Sequence, residues 1–242
     1  MTRFILGRLV KAVFILLAIL VFNFLLIHAA PGDPAAVMAG EAGAADEKFL
    51  ADLRTRFGLD EPLYVQLWIY IKGALQLDLG YSFRQQMPVA ELIGDRLPAT
   101  LLLTGVAFVL SLVLGVIAGV AASARQGSWG DTIISTVALL FYATPLFWVA
   151  LMASLVFSVW LGWLPGFGYS TIGAGYTGMA HVLDVAKHLV LPASTLGLFF
   201  MAIYMRMTRA SMLEVSRLDF VKTARAKGLK RGVIQRRHIL RN

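Results

Sequence analysis

An all-α integral membrane protein is the fold class this chain predicts, and three observations carry it. Hydrophobic residues make up 58% of the 242 residues against 15% charged, with a mean hydropathy of +0.73. That is far more apolar than a domain that folds in water. Four stretches, residues 12–30, 99–122, 132–161 and 189–205, hold no Asp, Glu, Lys or Arg. At about 1.5 Å per residue they reach roughly 28, 36, 45 and 26 Å, comparable with a hydrocarbon core of about 30 Å. Finally, charge is segregated: residues 1–11 carry +3, residues 31–98 carry −4 and the tail from Arg206 carries +9. The Lys/Arg bias places both termini in the cytoplasm, as four spans require, and the acidic loop outside.

The elements follow in order. The first span reads as a retained signal-anchor helix, because its apolar run exceeds a leader's core and His28-Ala29-Ala30-Pro31 is a poor cleavage site. Ala30-Pro31-Gly32-Asp33-Pro34 makes an exit turn in which two prolines stop the helix. Residues 31–98 are expected to form a helical loop subdomain. A short helix covers 46–57, ended by Gly58 as a left-handed residue. Asp60 is placed to cap the next helix, with Pro62 in its first turn. There Tyr64, Leu67, Trp68, Ile71 and Leu75 recur at helical spacing. That apolar face packs on the membrane or on neighbouring helices, or serves as a platform for an external partner. In the second span Gly115 and Gly119 stand four apart, letting another helix approach closely. The third span is overlong, and Pro145 near its middle supplies a kink. The chain thus divides into 1–30, 31–98, 99–208 and a tail of 209–242.

Much chemistry is excluded. The chain has no cysteine, so disulfides and thiolate sites are impossible. His181 and His188 are seven apart with Asp184 between them, yet no ligand set or nucleophile completes a metal or catalytic centre. Gly173-Ala174-Gly175-Tyr176-Thr177-Gly178 matches a dinucleotide fingerprint in form only, since no strand precedes it. No GxxxxGK[ST] loop occurs, so the chain is expected neither to be an enzyme nor to bind a cofactor itself. Carriers driven by ion gradients usually place ionisable groups in their spans. These spans have none, so energy for any pumping must come from elsewhere.

The tail carries the remaining signal. Asp219 can cap a helix beginning at Phe220, and Gly228 can end it. Phe220, Val221 and Ala224 then share a face, flanked by Lys222, Arg225 and Lys227. A short helix with a small apolar knob and basic flanks suits a groove on a partner protein. The same pattern suits a stretch held by anionic lipid, at about 1 kcal/mol per basic residue near the surface. Nucleic acid is not an expected partner, because the basic residues interleave with a membrane-attached helix.

Phe220-Val221-Lys222-Thr223-Ala224-Arg225-Ala226-Lys227-Gly228-Leu229, followed by His238-Ile239-Leu240-Arg241-Asn242, resembles the EAA loop of binding-protein-dependent ABC importer permeases. Pro31-Gly32-Asp33-Pro34, Phe57-Gly58-Leu59-Asp60-Glu61-Pro62, Asp78-Leu79-Gly80-Tyr81-Ser82, Arg96-Leu97-Pro98-Ala99-Thr100, Pro145-Leu146-Phe147-Trp148 and Leu191-Pro192-Ala193 follow the family's order. The resemblance covers the whole chain and is closest to the B-type subunit of dipeptide, oligopeptide and nickel importers. It implies a type I importer permease of the bacterial cytoplasmic membrane. It also implies a second homologous permease subunit, two cytoplasmic ATPase subunits that use the ATP, an external solute-binding protein and surrounding lipid. Asp219, Phe220, Thr223, Ala224 and Gly228 would form the ATPase-coupling helix, with Phe220, Thr223 and Ala224 facing the partner. Gly115, Gly119 and Pro145 would let helices rock.

Two departures stand out: Lys222-Thr223-Ala224 replaces Glu-Ala-Ala, and Leu240-Arg241 replaces Leu-Pro. Both resemble the pattern of the peptide-importer branch. The family has six spans, so two more are expected after residue 242. A chain ending there would be a non-transporting subunit that inserts and pairs without conducting. A basic, lipid-anchored membrane protein is the other alternative.

Overall fold

The computed structural model describes residues 1–43 and 46–241, so Asn242, the last residue of the tail motif, lies outside the described residues. The chain forms two compact units, 1–97 and 98–242.

In the first unit α1 (Thr2–Ala29) is followed by α2 (Pro34–Ala42), α3 (Glu47–Phe57) and α4 (Leu63–Leu75). The sequence pattern gave no sign of α2 as a helix. Asp33 explains it: its carboxylate caps the first turn by accepting from the Ala35 amide at 3.0 Å, and Pro34 starts the helix where no N–H is needed. Asp46 caps α3 through the Lys48 amide, and Gly58 ends it at φ +62°. Ala35, Ala39 and Leu53 form the α2–α3 core, with Phe49, Phe57 and Phe83 packed against it. Phe83 follows β1 (Tyr81–Ser82), which pairs antiparallel with β2 (Met87–Pro88).

One expectation for α4 fails. Asp60 does not cap it; Pro62 occupies that position, without a side-chain bond. Of its apolar stripe, Leu67 and Ile71 are partly buried while Tyr64, Trp68 and Leu75 are exposed. Gln66 is the buried residue instead, donating to the carbonyls of Leu59 and Glu61 at 3.0 and 2.7 Å. Burying this amide is tolerable because both donors and its oxygen are used, the oxygen lying 2.8 Å from His28 Nε2 of α1.

The second unit is built on two long helices. α5 (Val89–Ala124) enters it from Pro98 onward, and α8 (Gly178–Val215) runs through its centre. At 38 residues, α8 extends well beyond the 189–205 span and takes in Arg206 and Arg209. Gly115 and Gly119 show why the two helices sit so close. A Cβ at Gly115 would fall 2.5 Å from Tyr204 Cβ, and one at Gly119 would fall 2.8 Å from the Met205 carbonyl oxygen. Ala122, Ala138, Met201, Ala202 and Met205 continue this seam as a core of small and flexible side chains.

The third span is not a kinked rod. α6 (Trp129–Ala143) and α7 (Leu146–Ser154), with the π-helical turn Leu155–Trp160, meet at 96°. Pro145 has no N–H to continue α6, and it forces Thr144 into an extended conformation at φ −79°, ψ 135°. α1, α5 and α8 are therefore long and apolar enough to cross a membrane, and the bent pair makes a fourth crossing if counted as one span.

Candidate functional site

α8 ends at Val215, and after a short turn the basic tail folds back as a hairpin. Its first arm is α9 (Asp219–Ala226). Its second is α10 (Arg231–Val233), running into a π-helical turn, Ile234–Ile239. Gly228 makes the connection at φ +75°, a left-handed conformation that lets the amides of Gly228 and Leu229 reach the carbonyls of Arg225 and Ala224. Val221 and Ala224 are fully or almost fully buried, packed on Ile234 and Ile239 of the second arm.

The expected site residues are thus divided. Phe220 and Thr223 lie exposed one turn apart on the outer face, with Lys222, Arg225 and Lys227 around them. Ala224 is covered by the hairpin's own second arm, so it is not part of an exposed knob. Asp219 is not the cap either. Leu218 takes that position, and Asp219 stands in the first turn, where its carboxylate accepts from Lys222 Nζ at 2.8 Å. An acid there still favours the helix through its dipole.

The hairpin is tied to the helix bundle at named points. Arg231 Nη2 donates to the Ala124 carbonyl at 2.7 Å, and Gln235 Nε2 donates to the Val120 carbonyl at 3.2 Å, both at the end of α5. Ser123 Oγ of α5 lies 3.4 Å from Met212 Sδ of α8. Between these contacts is a cavity of about 430 Å³, lined in part by Ser123, Met212, Leu213, Arg225, Ile234 and Gln235.

A second polar feature was invisible in the sequence. Asp131, in the first turn of α6, is 5% exposed and receives both Arg209 Nε and Nη2 at 2.8 and 2.7 Å. The Gly127 amide and Ser135 hydroxyl complete its shell at 3.1 and 3.4 Å. Three residues earlier, the Arg206 guanidinium lies 4.6 Å above the Tyr142 ring. Arg206 and Arg209 belong to α8 and not to the basic tail, and no sequence signal pairs residues 78 positions apart.

The histidines form no centre. His188 is buried and its Nδ1 lies 2.8 Å from the Asp184 carbonyl oxygen, while the Asp184 carboxylate accepts from Thr171 N and Oγ1. Among the described residues no cluster could hold a metal ion. The 173–178 glycines are loop residues at positive φ ahead of and at the start of α8.

Long apolar helices, two of them in close contact through glycines, with a compact basic hairpin after the last, define a multi-pass membrane protein. The chain belongs to the binding-protein-dependent transport system inner membrane components: that family's model matches residues 111–242, and the model of its N-terminal region matches residues 1–104. It is 39% identical to a putative peptide transport system permease protein of Brucella abortus (strain 2308) over 242 residues, all of this chain and 74% of the relative. The identity is 38% over 258 residues with a dipeptide transport system permease protein of Alkalihalophilus pseudofirmus, covering 76% of it. It is 37% over 242 residues with a glutathione transport system permease protein of Escherichia coli (strain K12), covering 74% of it.

Proposed function

We propose that this chain is the permease subunit of an ATP-driven importer for small peptides. The relatives' names point to that substrate class, glutathione being itself a small peptide. The observation that carries the coupling is the division of the tail hairpin. Its apolar seam is satisfied internally by Val221, Ala224 and Ile234, yet Phe220, at the edge of that seam, remains 41% exposed. A stretch held by lipid headgroups alone has no need of a folded hairpin that presents one aromatic ring. A groove on a separate ATPase subunit does, with Phe220 and Thr223 as the contact, Ala224 and Asp219 shaping the helix and Gly228 its turn.

In this reading the tail and the N-terminus lie in the cytoplasm and the 31–98 region faces an external solute-binding protein. A second, homologous permease subunit completes the path. The energy source is the partner's ATP, which accounts for a chain without a nucleotide loop. Gly115, Gly119 and Pro145 set how α5, α8 and the α6–α7 corner move together.

The test is co-purification of the ATPase subunit from membranes with the wild-type chain and with Phe220→Ala. The proposal expects attachment to fall about tenfold or more, as for loss of an aromatic anchor, while insertion is unchanged. Attachment that ignores Phe220 but disappears in membranes lacking anionic lipid would establish the lipid-anchored alternative.

A further inference from the structure

We infer that Arg231 and Gln235 act as a two-point staple through which the tail hairpin moves α5 as well as α8. The hairpin continues covalently from α8, so α8 follows it in any case. α5 has no such link: its last residue, Ala124, is 95 positions before Asp219. What joins them is a matched pair of hydrogen bonds. The acceptors, Val120 and Ala124, are four apart, one turn of α5. The donors, Arg231 and Gln235, are also four apart and run in the opposite order.

The acceptor end suits this role. The last four carbonyls of a helix have no donor within it, and the C-terminal end of the dipole favours a cation. Arg231 supplies both to Ala124. Gln235 adds a second point, which fixes the hairpin's angle as well as its position. Close packing does not provide the connection here, because the 430 Å³ cavity lies between the hairpin and the ends of α5 and α8. Further along, Gly115 and Gly119 leave no space between α5 and α8, so a displacement of α5's end is passed along a seam without slack. Arg231 and Gln235 are thus positioning residues, acting on the transport path through α5.

This inference rests on the proposal that an ATPase subunit drives the hairpin. The test uses the complete importer, assembled in lipid nanodiscs for attachment and ATP hydrolysis and in vesicles for uptake of labelled dialanine. Arg231→Met combined with Gln235→Leu keeps side-chain bulk and removes both donors. ATPase attachment and hydrolysis stay within about twofold of wild type, while uptake per ATP falls at least fivefold, the low end of about 5–150-fold for coupling between sites. Arg231→Lys, which keeps one cationic donor, restores part of that loss, and Arg236→Met changes nothing. Unchanged uptake per ATP in the double variant overturns the inference. So does loss of ATPase attachment in that variant, which would show that the two residues merely hold the hairpin's shape. A wild-type chain that never retains the ATPase subunit defeats the underlying proposal instead.

Discussion

Arg209 grips Asp131 with two parallel hydrogen bonds, and in doing so joins the first turn of α6 to the last third of α8. The fork geometry matches a carboxylate, which lysine cannot reproduce. The pair also has secondary partners on the acid, so the burial of Asp131 is fully compensated.

Arg209→Met should therefore leave a buried, uncompensated carboxylate. The loss is about 3 kcal/mol, at the low end for a broken buried pair because Arg209 is about a third exposed. Asp131→Asn, which keeps a polar acceptor, should lose less, and adding it to Arg209→Met should recover part of the stability. Thermal unfolding of the detergent-solubilised chain measures all three.

Gly119→Val should weaken the α5–α8 seam by about 1–3 kcal/mol, since the obstructions are Thr208 Cβ and the Met205 carbonyl, neither of which can rotate away. Gly115→Val should act similarly, against Tyr204 and the α8 backbone. Gly105→Ala, on the same helix with open space around it, should be neutral or slightly stabilising. The same unfolding assay separates these outcomes.

Ala224→Glu should open the tail hairpin, because it drives a carboxylate into the contact with Val221 and Ile234 at a cost of about 3 kcal/mol. Trypsin should then cut rapidly at Arg225 and Lys227. Phe220→Ala should leave the hairpin as resistant as wild type. Equal resistance in Ala224→Glu would show that Ala224 is not enclosed.

The α2–α3 pair should lose protection in acid. The Arg54 guanidinium, 2.6 Å from Asp33, and then the Ala35 amide hold the Asp33 carboxyl below its ordinary range. A depressed native value means its contribution is complete above the ordinary carboxylate range and declines as pH falls through the native value, from about pH 5 downward. Hydrogen exchange at the Ala35 amide, corrected for its intrinsic pH dependence, should show this decline. Asp33→Asn should flatten it.

What could be read from the sequence was local. Gly58 and Gly228 mark left-handed helix ends because glycine accepts that backbone at little cost, and the Gly115/Gly119 spacing announces close approach without naming the neighbour. Pro145 was legible as an interruption, but its angle depends on Thr144 being driven extended, so a kink proved to be a corner. The Ala224 assignment failed for a different reason. Its spacing puts it on one face with Phe220 and Val221, and the second arm of the hairpin covers the Val221–Ala224 part of that face. Asp131–Arg209 and Arg231–Ala124 join positions 78 and 107 apart, beyond any periodic pattern.

The corner at Thr144–Pro145 has a cost that hydrocarbon cannot meet. With no amide on Pro145, the Phe141 carbonyl loses the donor that a continuous α-helix would give it. An oxygen dipole stranded among acyl chains is ruinously unfavourable, so the elbow must be wetted or walled in by another polypeptide. The right-angle bend therefore needs water or a neighbouring chain beside it wherever it meets the bilayer.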